Sequence, residues 1–259
     1  PSFCLLARCP PAGRPRRRLR LPAPAWAADV VSSNIVGYEK ITITPGLNML
    51  GNQFLAVGGS SFQNINEMFK ANDGFVAGGG SDQADSIMVW SGSAYDDVYY
   101  LDDYTEPYEW YNTKDIDNAT TDVVTTGQGF WFKHLGNETV TATLAGEVPS
   151  EDAIEVTLTP GLNFIANPYP MAICPNGAYF SVEGAVAGGG SDQADSIMTW
   201  NGSAYDNIYY LDDYTEPYEW YNTKDIDNAV STAILEPAMG FWYKHLGSEN
   251  ATLTFSKPY

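Results

Sequence analysis

The sequence predicts an all-β protein built from two tandem units, and three observations lead to that prediction. Apolar and polar residues alternate along short segments such as Ile154–Thr159, which places the apolar side chains on one face of a strand. Pro-Gly and Asn-Gly pairs lie between such segments, and both pairs are turn signals. One long segment occurs twice, so the elements of one half are expected again in the other.

The internal repeat is the dominant feature of the chain. Residues 78–119 and 188–229 align without gaps and differ at only four positions. The near-identity of these two segments is typical of a recent partial duplication or of gene conversion. The alternative is that one functional surface has been retained in two places. The units are assigned to residues 28–149 and 150–259, each the size of a small domain. Flanking segments also recur, namely Thr44–Asn48 with Thr159–Asn163 and Gly129–Gly136 with Gly240–Gly247.

Each unit is expected to contain several short strands joined by turns. The first strand of each unit ends at Pro45-Gly46 or Pro160-Gly161, where glycine supplies the positive φ of a type II turn. One short helical turn is expected within Asn64–Ala71. The strands expected in the first unit are Ile41–Thr44, Leu47–Leu50, Ser86–Trp90, Ala94–Leu101, Trp110–Tyr111, Gly129–Lys133 and Val140–Leu144.

Short strands at this spacing are typical of an antiparallel β-sandwich or a small barrel. The join between the units, from Leu144 to Ile154, is short and stiff rather than a long flexible tether. The two units are therefore expected to pack side by side with pseudo-twofold symmetry, and a single intertwined domain is the alternative.

Charge divides the chain into two parts. The first 27 residues hold six arginines and no acidic residue, and Ala25 and Ala27 flank Trp26 in the small-x-small pattern of a signal-peptidase site. Residues 1–27 are therefore predicted to be a degraded export signal, and a basic disordered arm is the alternative. From Ala28 onward the chain carries seven lysines and all 32 acidic residues, a net charge of −25. Such a surface repels phosphate backbones and anionic membranes, which excludes nucleic-acid binding.

Two absences in the sequence bear on location and stability. The chain has no run of about 18 or more apolar residues, so no membrane span is expected. Cys174 is the one cysteine after residue 27, so no internal disulfide is predicted. We expect Cys174 to be a buried apolar residue and the fold to depend on core burial.

Several short motifs resemble those of a known group of proteins. They are Ile35–Tyr38, the two Thr-Pro-Gly-Leu-Asn strands, the hairpin Ile87–Tyr95 with its spacing Ile-x-x-Trp-x-Gly-Ser-x-Tyr, and the closing Gly-Phe-Trp strand. In these motifs the chain is similar to secreted β-repeat proteins of planctomycete- and verrucomicrobia-type bacteria, over most of residues 28–259. The resemblance implies export and a β fold, and it brings no catalytic residues with it.

The two histidines do not predict an enzyme. His134 and His245 follow the same Phe-Trp-aromatic-Lys motif, one in each unit. A hydrolase triad also needs a nucleophile, and no Gly-x-Ser-x-Gly elbow is present. One histidine per unit without a cysteine cluster falls short of a zinc ligand set. We interpret both histidines as structural or surface residues and not as catalytic ones, while the abundant carboxylates neither support nor exclude a glycosidase.

Aspartates cluster in two loops of each unit, where they suit calcium better than catalysis. Oxygen ligands in loops fit a hard cation, and clustered carboxylates repel one another until a cation neutralises them. The alternative is a flexible glycine loop with exposed aspartates. The candidate calcium ligands are Asp82, Asp85, Asp102 and Asp103, with Asp192, Asp195, Asp212 and Asp213 in the second unit.

Aromatic residues are interspersed with the acids in Asp102–Tyr111 and in its copy Asp212–Tyr221. The segment is too polar to be buried throughout, so some rings are expected at the surface. Aromatic rings beside hydrogen-bonding acids suit a second protein surface or the faces of sugars. The candidate binding residues are Tyr104, Tyr108 and Trp110, with Tyr214, Tyr218 and Trp220 in the second unit.

Together these observations predict a secreted, non-enzymatic structural protein, such as a subunit of a fibre, sheath or surface layer. Its expected partners are further copies of itself or other extracellular proteins. Calcium is the one cofactor that the sequence favours. The alternative function is a carbohydrate-binding module whose two equivalent sites take a polysaccharide.

Overall fold

The computed structural model describes residues 35–70, 74–104, 106–214, 217–223 and 230–259, which all fall within the unit Asn34–Tyr259. The predicted export segment, residues 1–27, lies outside the described residues. We refer to residues 35–149 as the first half and to residues 150–259 as the second half.

Antiparallel strands dominate both halves, which confirms the all-β prediction. The elements of the first half are β1 (Val36–Ile43), β2 (Gly46–Gly51), β3 (Phe62–Asn64), α1 (Ile65–Met68), β4 (Ser86–Trp90), β5 (Tyr95–Leu101), β6 (Glu109–Asn112), β7 (Asp115–Ala119), β8 (Val123–Thr125), β9 (Gly129–His134) and β10 (Val140–Glu147). The elements of the second half are β11 (Ala153–Leu158), β12 (Gly161–Ala166), β13 (Phe180–Glu183), β14 (Ser196–Trp200), β15 (Tyr205–Leu211), β16 (Glu219–Asn222), β17 (Gly240–His245) and β18 (Ala251–Ser256).

The main sheets of the two halves share one strand order. In the first half the order is β2-β9-β4-β5-β6-β7, and in the second it is β12-β17-β14-β15-β16. Smaller sheets complete each half: β1-β10 and β3-β8 in the first, and β11-β18-β13 in the second. In each half, side chains of a smaller sheet share one apolar cluster with side chains of the main sheet, so two layers enclose a core.

The Thr-Pro-Gly-Leu-Asn motif forms the turn between the first two strands of each half, which lie in different sheets and do not pair with each other. Gly46 and Gly161 adopt φ of +93° and +99°, which confirms the predicted role of glycine in these turns. Asn48 closes the turn, because its Oδ1 accepts from Thr44 N at 2.9 Å and its Nδ2 donates to Thr44 O at 2.8 Å. Asn163 makes the same two bonds in the second half. The motif therefore encodes a turn and not a site.

The helical turn predicted within residues 64–71 is α1, which is one turn long. Its residue Asn66 anchors it to β6, since Asn66 Oδ1 accepts from Trp110 N at 2.8 Å and its Nδ2 bonds Trp110 O. Asn176 makes the same pair of bonds to Trp220 in a segment that is not helical. The anchoring contact is thus common to both halves, although the local structure differs.

The halves meet along a third apolar cluster, which we call the seam. Its buried members are Met49 and Trp131 from the first half with Phe164 and Trp242 from the second. Partly buried residues around them are Met88, Trp90, Met198 and Trp200. The ring of Phe164 stacks on that of Trp242 with centroids 4.3 Å apart. Each main sheet therefore has one face on its own core and part of the other face on the opposite half.

Side-chain contacts across the seam come in matched pairs. The rings of Trp131 and Trp200 lie 5.8 Å apart, and those of Trp90 and Trp242 lie 5.6 Å apart. The indole N–H groups of Trp90 and Trp200 follow the same pattern, because each of these two donates to a backbone carbonyl of the opposite half. These bonds run from Trp90 Nε1 to Leu162 O at 3.3 Å and from Trp200 Nε1 to Leu47 O at 3.0 Å.

Backbone groups at the ends of β2 and β12 also bond across the seam. Gly51 N donates to Ala238 O at 2.9 Å, and Ala166 N donates to Gly127 O at 2.8 Å. A Cβ at Gly51 would lie 2.1 Å from the Cβ of Ala166, so only glycine permits this approach.

Candidate functional site: the acidic tyrosine loops

The acid-rich loops after β5 and β15 are the most conspicuous surface features that the repeat shares. We call Asp102–Tyr108 the first tyrosine loop and Asp212–Tyr218 the second; residue 105 of the first and residues 215–216 of the second lie outside the described residues. The side chain of the first aspartate organises each loop, since its Oδ1 accepts from the backbone N of the tyrosine two residues later. That distance is 3.0 Å to Tyr104 and 2.9 Å to Tyr214.

Tyr104 and Tyr214 project from these loops in an unusual backbone conformation. Their φ angles are +68° and +69°, in the left-handed region that a bulky side chain rarely adopts. Their side chains are 96% and 97% exposed, so no core packing compensates for the strain. An exposed ring held at positive φ in both halves is a feature that folding does not require.

Tyr108 forms the base of the first tyrosine loop. It packs edge-on against Tyr100 with ring centroids 5.9 Å apart, and Tyr218 packs on Tyr210 at the same distance. Desolvation raises the pKa of the Tyr108 hydroxyl, and the Asp102 carboxylate, to which it is hydrogen-bonded, adds to that shift. The hydroxyl therefore holds its proton more tightly than that of a free tyrosine does.

The glycine-rich loop that begins at Gly78 lies directly beside the first tyrosine loop. Gly78 N donates to Tyr100 O and Asp102 N donates to Gly78 O, both at 3.1 Å. The second half repeats this arrangement between Gly188 and the start of its tyrosine loop. Two of the loops that carry predicted calcium ligands are thus neighbours in each half.

Asp85 and Asp195 require a correction, because neither is available to a cation. Both are fully buried. Asp85 Oδ2 lies 2.8 Å from His134 Nδ1, and Asp85 Oδ1 accepts from Leu135 N at 2.8 Å. Asp195 makes the corresponding bonds to His245 Nδ1 and Leu246 N. The prediction that these two aspartates are calcium ligands is wrong, since their oxygens are already engaged inside the protein.

Each buried histidine has both ring nitrogens engaged. His134 Nε2 lies 2.9 Å from Glu138 O, and a carbonyl oxygen only accepts, so Nε2 carries hydrogen. A second proton lies between Nδ1 and Asp85, because otherwise two lone pairs would face each other at 2.8 Å. His245 has the same environment, with Glu249 O as its second partner. Neither nitrogen is left to face a substrate, and we call each pair a buried dyad.

Trp110 and Trp220 also require a correction. They are 1% and 4% exposed, and Trp110 Nε1 donates to Phe69 O at 2.7 Å inside the first core. The prediction that these two rings lie at the surface is wrong. The physical reason is the alternation of a strand: in β6 the flanking Glu109 points outward, so Trp110 points inward.

The remaining candidate ligands lie at or near the surface. Asp82, Asp103, Asp192 and Asp213 are exposed, whereas Asp102 and Asp212 are half-buried. Within the part of the chain that the structure describes, no three His, Cys, Asp or Glu side chains converge to hold a metal ion. In the same residues no helix is long and apolar enough to cross a membrane. Cys174 is a free thiol and is half-buried.

Comparisons with protein-family models, with curated proteins and with solved structures found no match for this chain. The resemblance to secreted bacterial β-repeat proteins therefore stays a prediction. Three features of the site were not anticipated from the sequence: the buried dyads, the positive φ of the exposed tyrosines and the seam.

Proposed function

We propose that the protein is a secreted, non-enzymatic structural subunit of a fibre, sheath or surface layer. In this proposal each tyrosine loop contacts a neighbouring molecule. The observation that carries it is the pair of nearly identical loops, each of which presents an almost fully exposed tyrosine in a strained backbone conformation. Strain without packing is typical of a contact residue, and tyrosine is enriched where proteins meet.

The placement of the loops supports the assembly of many molecules into a filament. Trp90, which contacts the opposite half, is paired with Tyr95 at one end of β5, and the first tyrosine loop starts after Leu101 at the other end. The intervening strand is about 20 Å long at roughly 3.3 Å per residue. Each loop thus starts well away from the seam, so that two neighbours can bind one molecule. A repeated contact that does not close on itself produces a filament.

We further propose that the halves are two tandem sandwich-like repeats related by a pseudo-twofold axis. The matched contacts across the seam support this arrangement, as does the shared strand order. A pseudo-twofold axis gives the molecule two equivalent contact loops, which a subunit of an extended assembly needs.

Charge determines the conditions that such an assembly requires. The tyrosine loops are anionic, and like charges on two approaching loops oppose contact. A divalent cation between loops of neighbouring copies would offset that repulsion, and calcium accepts carboxylate oxygens from flexible loops. Calcium is therefore the proposed bridging ion between molecules.

The non-enzymatic part of the proposal is supported by the buried dyads. Each histidine is held between a buried aspartate and a backbone carbonyl, which suits a structural role and not proton transfer to a substrate. Carbohydrate binding is the second candidate function. One observation favours it, since the exposed Tyr104 ring lies beside the loop carboxylates; but a single ring makes a smaller sugar platform than the three that the sequence suggested.

The experiment compares the wild-type protein with a Tyr104→Ser/Tyr214→Ser variant, each with and without millimolar calcium. Light scattering and electron microscopy should show calcium-dependent assemblies of the wild type and no calcium-dependent assembly of the variant. Tyr38→Ser is the matched control, because Tyr38 is 73% exposed on β1 and outside both loops. Monomeric wild-type protein in both conditions would contradict the proposal. Retention of a sugar on a glycan array that the double variant loses would favour the second candidate.

A further inference from the structure

We propose that the seam is an interaction surface for a second copy of this chain, in which the first half of one molecule pairs with the second half of another. This inference rests on the pseudo-twofold arrangement proposed above, but not on the tyrosine loops. It names the partner and the surface of a second mode of self-association.

The seam contacts do not depend on the two halves belonging to one chain. The paired indoles of Trp90 and Trp200, and the buried rings of Trp131 and Trp242, each reach from one half into the other. An exchange of halves between two molecules would therefore rebuild every one of these contacts. Exchange of an identical element is a low-cost route to an oligomer.

The connection between the halves has a natural hinge. Three side chains of the second half bind carbonyls of the linker: Tyr259 OH to Pro149 O at 2.8 Å, Lys257 Nζ to Ser150 O at 2.8 Å, and Tyr169 OH to Glu151 O at 2.9 Å. The preceding residue, Val148, belongs instead to the first half, where its N donates to Ile35 O at 2.7 Å. Pro149–Glu151 is thus anchored to the second half, and the chain passes from one half to the other between Val148 and Pro149. In our proposal the halves exchange about this point.

The seam also specifies which halves meet. Met49 and Phe164 occupy equivalent positions, since Met49 pairs with Trp131 in the first sheet and Phe164 pairs with Trp242 in the second. The Phe164 ring lies so close to Gly129 of the opposite half that a Cβ there would be 2.3 Å from it. The centre of the seam therefore holds one phenylalanine and one methionine.

Unlike halves fit each other better than like halves do. Two phenylalanines at the centre would overpack it, whereas two methionines would leave space. The pairing is therefore directional, first half to second half. When it occurs between molecules it gives either a closed pair or an open head-to-tail chain.

The experiment uses two full-length variants with mismatched seams. The Met49→Phe chain has two phenylalanines at the centre, and the Phe164→Met chain has two methionines. One chain is labelled with heavy isotopes, the two are unfolded and refolded together, and native mass spectrometry counts the dimers. In the mixed dimer each seam again holds one phenylalanine and one methionine, so mixed dimers should exceed those in a light and heavy wild-type mixture at least roughly fivefold, the ratio that corresponds to about 1 kcal/mol.

Two controls make the outcome decisive. The double variant Met49→Phe/Phe164→Met restores the unlike pair within one chain, so it should return to the wild-type dimer fraction. Complementation is measured in the mixture, so a variant that folds poorly alone still gives a result. Mixed dimers at the wild-type fraction would overturn the inference. Repeating the mixture with Tyr104→Ser/Tyr214→Ser in both chains should leave the dimers unchanged; their loss would assign them to the loops and also overturn it.

Discussion

The two halves differ in the segments that flank the main sheets, whereas their exposed tyrosine loops are identical. A flanking segment has diverged, since α1 has no helical counterpart at Asn176. Both halves nevertheless keep the same order of the shared strands in the main sheet. By contrast, Asp102–Tyr111 and Asp212–Tyr221 are identical, including residues that are exposed. Folding alone therefore does not account for the identity of the loops.

The two cores differ in one hydrogen-bond donor to a buried aspartate, and each core supplies a different group in that role. Asp85 and Asp195 each accept three hydrogen bonds, two of which are the same in both halves. The third donor is Val76 N at 3.1 Å in the first half and the Tyr243 hydroxyl at 2.9 Å in the second. The residue equivalent to Tyr243 is Phe132, so a different group satisfies the same buried carboxylate. Both halves thus preserve the buried dyad, although the third donor to its aspartate differs.

The largest expected effect is the loss of a buried dyad. Asp85→Ala and Asp195→Ala should each lower the free energy of unfolding by about 3–5 kcal/mol, because a buried histidine loses its partner. Denaturant titration of each variant measures this loss. Asp82→Ala is the control, since Asp82 is exposed in the same glycine-rich loop and its removal should change stability by less than about 0.5 kcal/mol. Losses below about 1 kcal/mol for both buried variants would show that the dyads do not stabilise the halves.

The sequence was sufficient for most strands of the main sheets and for the Pro-Gly turns, but it predicted neither β3, β7, β8 and β13 nor the contacts between distant segments. Alternation and Pro-Gly pairs predict β1, β2 and their counterparts because those signals are local. Trp110 was misplaced because the polarity of its segment outweighed the alternation of β6, which points it inward. The dyads join Asp85 to His134 across 49 residues, and nothing local signals that pairing.

The seam did leave a signal in the sequence that went unused. Four consecutive residues of β9, Gly129–Phe132, are buried, and the same is true at the start of β17. A continuous apolar run is typical of a strand that is covered on both faces. The Gly-Phe-Trp motif thus indicated a second covered face in each half. The positive φ of Tyr104 left no signal, because glycine is the residue that ordinarily marks that conformation.

A smaller effect on stability is expected from the third hydrogen bond to the buried aspartate, for which the two halves use different donors. Tyr243→Phe copies the first half at this position but leaves Asp195 without its third hydrogen bond. The loss should be about 1.5–3 kcal/mol in the free energy of unfolding, as for hydrogen bonds to charged groups. Burial and the Asp195 carboxylate raise the pKa of the Tyr243 hydroxyl, so it remains a donor up to alkaline pH. An unchanged midpoint in denaturant would mean that Asp195 finds another donor, as Asp85 does.

The next effect is a dependence of stability on alkaline pH, which is expected from Tyr169 in the second half. Tyr169 in the second half occupies the place of Phe54 in the first, and the backbone N of each donates to the Oδ1 of the asparagine two residues earlier. Burial, with Tyr259 and Glu151 adding to it, raises the pKa of Tyr169 from 10.0 to about 12. Because the folded state holds this proton more tightly, its contribution is complete below pH 10 and is lost as pH rises towards 12.

Tyr169→Phe should remove that part of the alkaline loss. At neutral pH the variant should be less stable by about 1 kcal/mol, because the bond to the Glu151 carbonyl is gone. Melting temperatures of both proteins at pH 8, 10 and 12 test this. If the two proteins lose stability equally between pH 10 and 12, Tyr169 does not govern the alkaline transition.

The smallest effect on stability is expected at the tyrosine loops, and its sign is opposite. Tyr104→Gly and Tyr214→Gly relieve the positive φ, so each should raise the free energy of unfolding by up to about 1 kcal/mol. Tyr104→Ala is the matched control, because it shortens the side chain but keeps the strain. Equal gains in the two halves would indicate that the loops are energetically equivalent. If the glycine variants lose calcium-dependent assembly while they gain stability, the strained tyrosines are retained for contact with a partner at the expense of the fold.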